Sequence, residues 1–200
     1  PTPTITGTAK VGTTLTATPG TWAPTPTTIT YQWKRGGTAI PGATKKTYIP
    51  VAADAGKTLT VTTTATRTGY TTTSKTSTSK AIPDKLYVGG TIKTNTVWPD
   101  GVTIVIRGPV SIAPGVTVTA QPGSVVKLSA NATFVVDGSF VANGAASRKV
   151  TITSLTDDAI GGDTDGGGAS VGSLWPGITV GAGGSLSIMS SALRFGGVES

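Results

Sequence analysis

The run GVTVTAQPGSVVKLSANATFVVDGSFVA, residues 115–142, decides the fold. It contains short apolar segments, and each is closed by Gly, Pro, Asn or Asp. The segments are too short for helices, and their many β-branched side chains favour strands. The same pattern continues to Phe195, with an insertion after the segment that ends near Ser154. We therefore predict a stack of short strands over residues 115–195.

The segments recur with a period typical of solenoid proteins. Val116–Val118, Val135–Asp137 and Val150–Ile152 look equivalent and are spaced roughly 16 to 20 residues apart. One turn of such a repeat buries too little apolar surface to be stable, but stacked turns share one continuous core. Three short strands per turn, meeting at Gly corners, predict a right-handed parallel β-helix over residues 89–200. A second β-sandwich is the alternative for this part of the chain.

Residues 1–82 have a different character. Thr supplies 28 of these 82 residues and alternates with apolar residues, for example in Leu59-Thr-Val-Thr62. Such alternation is typical of half-buried antiparallel strands, and the frequent turn signals predict a two-sheet sandwich. Trp33 is expected in its core, and Asp54 in a turn before the sixth strand. Residues 83–88, which begin at a proline, are the predicted linker.

Two resemblances support this division. Gly7–Trp22, Tyr31–Trp33 and Ile40–Thr44 resemble Ig-like repeats of large secreted and surface proteins of Gram-positive bacteria. This resemblance implies that residues 1–82 form an Ig-like β-sandwich spacer with no catalytic residues to carry over. It also implies an extracellular or cell-wall-attached protein.

The second resemblance spans residues 89–197. Its segments, Pro114–Val118, Pro122–Lys127, Val136–Ala142 and Lys149–Ser154, are similar to consecutive rungs of secreted bacterial β-helix proteins. Residues 155–174, rich in Asp and Gly, look like the long loop of that family. Because chains of this family usually continue for many more coils, the resemblance implies a β-helix that is truncated or capped by a partner.

Composition removes several kinds of chemistry. The chain has no cysteine and no histidine, so disulfides, thiolate metal sites and a Ser-His-Asp triad are unavailable within it. Residues 1–82 carry nine basic side chains and one acidic one, whereas residues 83–200 carry seven and eight. The basic part could favour an anionic partner, or its lysines could simply keep a Thr-rich sheet soluble. The sequence has no nucleic-acid-binding module and no apolar run long enough to span a membrane.

Four aspartates in the long loop are the sharpest candidate site. They are Asp157, Asp158, Asp163 and Asp165. Hard cations take carboxylate and carbonyl oxygens from turns, so these residues predict a calcium site. The alternative is a solvated turn whose aspartates accept hydrogen bonds from backbone N–H groups. No other cofactor is predicted.

Catalysis is the weaker hypothesis. A glycosidase needs two carboxylates flanking one bond, and neither Asp137 nor Glu199 has an obvious partner outside the loop. A lyase would need a basic residue beside the loop acids, for which Lys127 or Arg148 could serve. Exposed tryptophans could stack on sugars, although Trp98 and Trp175 are expected to fill corners of the stack.

The sequence therefore predicts a non-catalytic structural or adhesive module of a secreted or cell-surface bacterial protein. Its expected partners are cell-wall or extracellular polysaccharide and further copies of itself at open β-helix ends. Two alternatives stay open: part of a polysaccharide-degrading enzyme, and a subunit of an extracellular filament or layer.

Overall fold

The computed structural model describes residues 2–167 and 173–196. Within these residues, regular structure consists of strands and one short 3₁₀ turn, so the all-β prediction is confirmed. The chain divides into two compact units, Pro1–Pro83 and Asp84–Ser200. Gly197, Glu199 and residues 168–172 of the predicted loop lie outside the described residues.

The first unit consists of two antiparallel sheets. Its strands are β1 Thr4–Thr6, β2 Leu15–Thr18, β3 Thr28–Arg35, β4 Thr38–Ala39, β5 Thr47–Tyr48, β6 Thr58–Thr66, β7 Thr73–Thr76 and β8 Lys80–Ala81. One sheet has the order β1-β2-β5, and the other has the order β4-β3-β6-β7 with β8 also paired to β6.

Alternation along the strands builds the core of the first unit. In β6, Leu59 and Val61 are fully buried, and Thr60 between them lies on the other face. Trp33 of β3 is also fully buried, as the sequence predicts, and donates its Nε1–H to the Lys45 carbonyl at 2.9 Å. Its ring stacks on Tyr48 of the other sheet at 5.5 Å between centroids. Aromatic packing therefore joins the two sheets.

Asp54 is the single acidic residue of the first unit, and its side chain is fully buried at the 3₁₀ turn Ala52–Asp54. Its carboxylate accepts hydrogen bonds from Arg35 Nε at 2.6 Å, Tyr48 Oη at 2.8 Å and the Val51 N–H at 2.7 Å. The turn expected at this position is present. The carboxylate also ties β3 and β5 to the turn, a connection that local sequence does not reveal.

The second unit contains short strands that pair in parallel. They are β9 Lys85–Ile92, β10 Thr96–Trp98, β11 Thr103–Ile112, β12 Thr117–Ala120, β13 Val125–Leu128, β14 Phe134–Val136, β15 Ser139–Asn143, β16 Val150–Ser154, β17 Ile178–Val180, β18 Ser185–Met189 and β19 Ser191–Leu193. Every pairing among these strands is parallel, which contradicts the alternative of a second antiparallel sandwich.

The strands form three columns. Column one runs from the first half of β9 through the first half of β11 to β13, β16 and β19. Column two runs from the second half of β9 through the second half of β11 to β14 and β17. Column three is β10, β12, β15 and β18. A register shift in β9 and β11 separates columns one and two, and strands at the same height in the three columns form one layer.

Inward side chains of the three columns form a single core. Ile104, Val126 and Ile152 lie above one another in column one, and all three are fully buried. Trp98 packs against Phe134 and Phe140, with ring centroids 6.0 and 5.4 Å away. Each layer thus covers the apolar side chains of the layer before it.

The assignment of strands to columns shows that the predicted repeat is wrong. Val116–Val118, Val135–Asp137 and Val150–Ile152 belong to three different columns and are not equivalent. The true partner of Val118 is Phe140, which is 22 residues further along the chain. The short strands resemble one another so closely that the local pattern does not distinguish neighbours within a layer from partners in successive layers.

The last layer leaves its inward side chains without a cover among the described residues. Leu186 pairs in register with Phe140, and Leu193 with Ile152. Phe140 and Ile152 are fully buried, whereas Leu186 is 37% and Leu193 is 53% exposed. These two leucines line a groove beside Trp175. The apolar interior is therefore accessible at this layer.

Candidate functional site

The candidate site lies on the outward face of column one. Val105, Lys127 and Thr153 are register partners there, and they alternate with the inward residues of the same strands. Outward residues of such a stack normally face solvent, yet these three are fully buried. The loop that follows β16 lies over them and accounts for their burial.

Hydrogen bonds fix this loop to the sheet. Three outward side chains of β11 and β13 donate to loop carbonyls. The pairs are Thr103 Oγ1 with Gly161 at 3.4 Å, Arg107 Nη2 with Thr164 at 2.6 Å, and Lys127 Nζ with Gly162. Within the loop, Thr164 Oγ1 donates to the Leu155 carbonyl at 2.8 Å. The loop is therefore attached to the stack along residues 161–164.

Lys127 is the one charged side chain that the loop encloses completely, among the residues that the structure describes. Its Nζ lies 4.0 Å from Asp158 Oδ1. Burial lowers the pKa of the Lys127 ammonium. The nearby carboxylates, of which Asp158 has the largest effect, partly offset this and raise the pKa. The loop thus places a buried cation next to acidic side chains.

Three of the four predicted calcium ligands come together. Asp158, Asp163 and Asp165 each offer one carboxylate oxygen, and these oxygens lie within 4.8 Å of one another. Asp158 is half-buried and the other two are exposed. Carboxylate oxygens at this spacing suit a hard cation such as calcium. The arrangement is compatible with the calcium hypothesis, which stays a prediction.

The same aspartates also stabilise the turn. Asp163 Oδ1 accepts hydrogen bonds from the N–H groups of Asp165 at 3.1 Å and Gly166 at 2.7 Å. Asp165 Oδ1 accepts one from the Gly167 N–H at 3.0 Å. These are the bonds that the alternative interpretation predicts. Since a carboxylate oxygen has more than one lone pair, turn formation and cation binding are compatible.

Asp157 belongs to a different network. Its Oδ2 accepts hydrogen bonds from Thr153 Oγ1 at 2.6 Å and Arg194 Nε at 2.9 Å, and its side chain is buried. The Arg194 carbonyl in turn accepts the Nε1–H of Trp175 at 2.7 Å. Asp157 therefore joins the start of the loop to the last described strand segment, and the structure does not bring it into the group of three aspartates.

The residues considered for catalysis are only partly brought together. Lys127 does lie beside the loop acids, but its ammonium is enclosed and bound to a loop carbonyl. Arg148 is paired with Asp100 in another part of the second unit. Asp137 is half-buried at the corner between β14 and β15 and is not one of the clustered acids.

The tryptophans separate into buried and accessible ones. Trp33, Trp98 and Trp175 are buried, in agreement with their expected packing roles. Trp22 is only half-buried, and its Nε1–H donates to the Pro19 carbonyl at 3.1 Å. Trp22 is therefore the one tryptophan with surface left for a ligand.

Two features were missed by sequence reasoning. The enclosure of Lys127 depends on a loop about 35 residues further along the chain, and no local pattern reports this contact. Tyr70 and Arg67 form an exposed pair, with the guanidinium 5.3 Å from the ring centroid. The spacing of three residues across the turn at Gly69 was the available signal for this pair.

No protein-family model, curated protein or solved structure matches this chain. The resemblances to Ig-like repeats and to β-helix proteins therefore stay predictions. Among the described residues, no helix is long and apolar enough to cross a membrane.

Proposed function

We propose that this chain is a non-catalytic structural or adhesive module of a secreted or cell-surface bacterial protein. In this proposal the first unit is an Ig-like β-sandwich spacer. The second unit consists of coils of a right-handed parallel β-helix, and its stacked strands present an extended β-surface to a glycan or a cell.

One observation carries the proposal: successive layers of the second unit pair in parallel register and share one apolar core. Ile104, Val126 and Ile152 repeat the same inward position in three layers. A stack of this kind gains length by about 4.8 Å with each layer, so a small sequence repeat produces a long regular surface. Such a surface suits display and contact.

The first unit adds support from its packing. Its two antiparallel sheets meet through Trp33 and Tyr48, and Asp54 fixes the turn between β5 and β6. This arrangement stabilises a small sandwich without any disulfide. A rigid spacer of this kind is useful outside the cell, where it separates a binding surface from its anchor.

The test combines binding and turnover. The full chain is incubated with bacterial cells and with a panel of cell-wall and extracellular polysaccharides. Bound protein is measured by fluorescence, and new reducing ends and unsaturated sugar products are measured in the same wells. We expect saturable retention on at least one polysaccharide and no products. Product formation would contradict the proposal in favour of the enzyme alternative.

A second candidate function, assembly of copies into a filament or layer, is favoured by the exposed last layer. Leu186 and Leu193 continue rows whose earlier members are fully buried. An uncharged edge layer with exposed apolar side chains is a ready template for another β-layer. In an assembling protein, a second copy would supply that layer.

Sedimentation velocity over a range of protein concentrations tests this candidate. We expect association that Leu186→Lys abolishes, because the new charge would be buried in the contact. Ile49→Lys is the control, since Ile49 is an exposed apolar residue of the first unit. A strict monomer at all concentrations, or equal effects of both variants, would contradict assembly through this layer.

A further inference from the structure

A groove of about 400 Å³ lies in the first unit. The segment between β2 and β3 contributes Trp22 and Pro26 to its lining. The β6–β7 hairpin contributes Arg67, Tyr70 and Lys75. None of these residues has a role in the function proposed above.

The two aromatic side chains of the groove, Trp22 and Tyr70, each keep part of their surface exposed. The Nε1–H of Trp22 already donates to the Pro19 carbonyl, so this indole offers its ring and no free donor. Tyr70 is 58% exposed, and the Arg67 guanidinium lies over its ring, 5.3 Å from the centroid. Flat aromatic surfaces in a groove pack well against the C–H face of a sugar ring.

The charge in the groove has one sign. Arg67 and Lys75 are its charged lining residues, and none of the described residues that line it carries a carboxylate. Arg67 uses one N–H for the Thr25 carbonyl, at 2.9 Å, which leaves other donors of its guanidinium for a ligand. Asp54, the only acid of the unit, is buried and bound by Arg35. The groove therefore favours an anion.

We infer that this groove binds an anionic polysaccharide whose sugar rings carry carboxylates. Trp22 and Tyr70 pack against sugar rings, and Arg67 and Lys75 pair with carboxylates. The inference rests on the proposed function for the extracellular glycan setting, and it adds the ligand class and the residues that recognise it.

Two other classes of ligand fit less well. A proline-rich peptide would pack on the aromatic rings, but it offers no carboxylates for Arg67 and Lys75 to pair with. A nucleic-acid strand carries a phosphate at every nucleotide, and two cations in the groove are few for such a ligand. Both classes are outcomes of the test.

The experiment titrates the full chain with polygalacturonate and with hyaluronan, with methyl-esterified polygalacturonate as the uncharged comparator. Calcium is removed with EDTA, so that calcium bound by the loop aspartates does not contribute to polysaccharide binding. Isothermal calorimetry reports affinity, and oligo-dT and a polyproline peptide are titrated in parallel. We expect binding of at least one carboxylated polymer, and affinity at least about tenfold weaker for the esterified one.

Variants assign the binding to the groove. We expect Trp22→Ala and Tyr70→Ala each to weaken binding by about tenfold. Arg67→Gln should reduce the preference for the charged polymer over its ester. Tyr87→Ala is the matched control, because Tyr87 is 61% exposed and lies beside Arg107 in the second unit. Thermal unfolding of each variant shows whether it is folded. If an aromatic variant is unfolded, Arg67→Gln is used in its place to test the groove.

Several results would overturn the inference. They are failure to bind either carboxylated polymer, equal affinity for the ester, tighter binding of oligo-dT or of the peptide, and equal losses for Tyr70→Ala and Tyr87→Ala. Any of these would leave the stacked layers of the second unit intact. Product formation in the polysaccharide assay would instead contradict the proposed function.

Discussion

At the scale of single residues, one buried charge stabilises each unit, and the two do so in different ways. Asp54 receives three hydrogen bonds in the first unit, and Lys127 lies under a loop in the second. A buried charge destabilises the fold unless it is paired, so the removal of its partners lowers the free energy of unfolding. Both residues are therefore sensitive positions.

Replacement of Asp54 by Ala should destabilise the first unit by about 3 kcal/mol, because Tyr48 and the Val51 N–H would lose their buried acceptor. Urea unfolding of the full chain, followed by tryptophan fluorescence, measures the change. Asp84→Ala is the control, since Asp84 is an exposed acid of the second unit. A loss below about 1 kcal/mol for Asp54→Ala would contradict this role.

The first unit should also lose stability at high pH. Burial, with the hydrogen bond to Asp54, raises the pKa of Tyr48 to about 12. The folded protein holds this proton more tightly than the unfolded chain, whose tyrosine titrates near pH 10. The protonated Tyr48 hydroxyl therefore contributes its full share to the free energy of unfolding below about pH 10. This contribution, roughly 2 to 3 kcal/mol, is lost between about pH 10 and 12.

Melting temperatures from pH 9 to pH 12 test this prediction. Tyr48→Phe keeps the ring beside Trp33 but has no ionisable hydroxyl, so its melting temperature should fall less steeply above pH 10. Identical slopes for the wild type and Tyr48→Phe would show that another group controls the alkaline loss.

At the scale of elements, the strands could be predicted well and their partners poorly. Val118, Val136 and Ile152 were all expected in short strands of a parallel stack, and each lies in one. Their assignment to columns failed, because corners between strands differ in length and nothing in a short Val-rich strand identifies its column. The Asp-rich loop was predicted as a loop, but its attachment to Lys127 depends on contacts distant in sequence.

Gly138 tests the corner between columns two and three. A Cβ at this position would lie 2.3 Å from the carbonyl oxygens of Ala113 and Val116, both backbone atoms that cannot yield easily. We expect Gly138→Ala to destabilise the second unit by about 2 to 3 kcal/mol in urea unfolding. Gly108→Ala is the matched control, since a Cβ there meets nothing within 4 Å. Similar effects of the two variants would contradict the close approach.

Calcium binding by the loop is tested by calorimetric titration. If the predicted site forms, Asp163→Asn and Asp165→Asn should weaken it, because Asn keeps the turn-forming oxygen but removes the charge. Lys127→Met should strengthen it by removing a competing cation. Asp157→Asn should leave affinity unchanged, since that side chain binds Arg194. No heat from the wild type at millimolar calcium would eliminate the site.

At the scale of the whole molecule, the two units differ in charge as well as in fold. Residues 1–82 have nine basic side chains against the buried Asp54, whereas residues 83–200 are nearly balanced. This contrast was visible in the sequence, where it left two interpretations open: an anionic partner, or lysines that keep a Thr-rich sheet soluble. The groove of Trp22, Arg67 and Tyr70 could not be predicted, because two loops far apart in sequence form it.

The position of the long loop has a practical consequence for protein engineering. Ile152 and Leu193 remain register partners although 41 residues separate them, and the neighbouring columns keep their pairing as well. The corner after β16 thus accommodates a large detour of the chain while the strands on both sides stay aligned. Foreign peptides grafted into residues 165–167, beyond the contacts of Lys127 and Arg107, would be displayed on a rigid support without interruption of the stack.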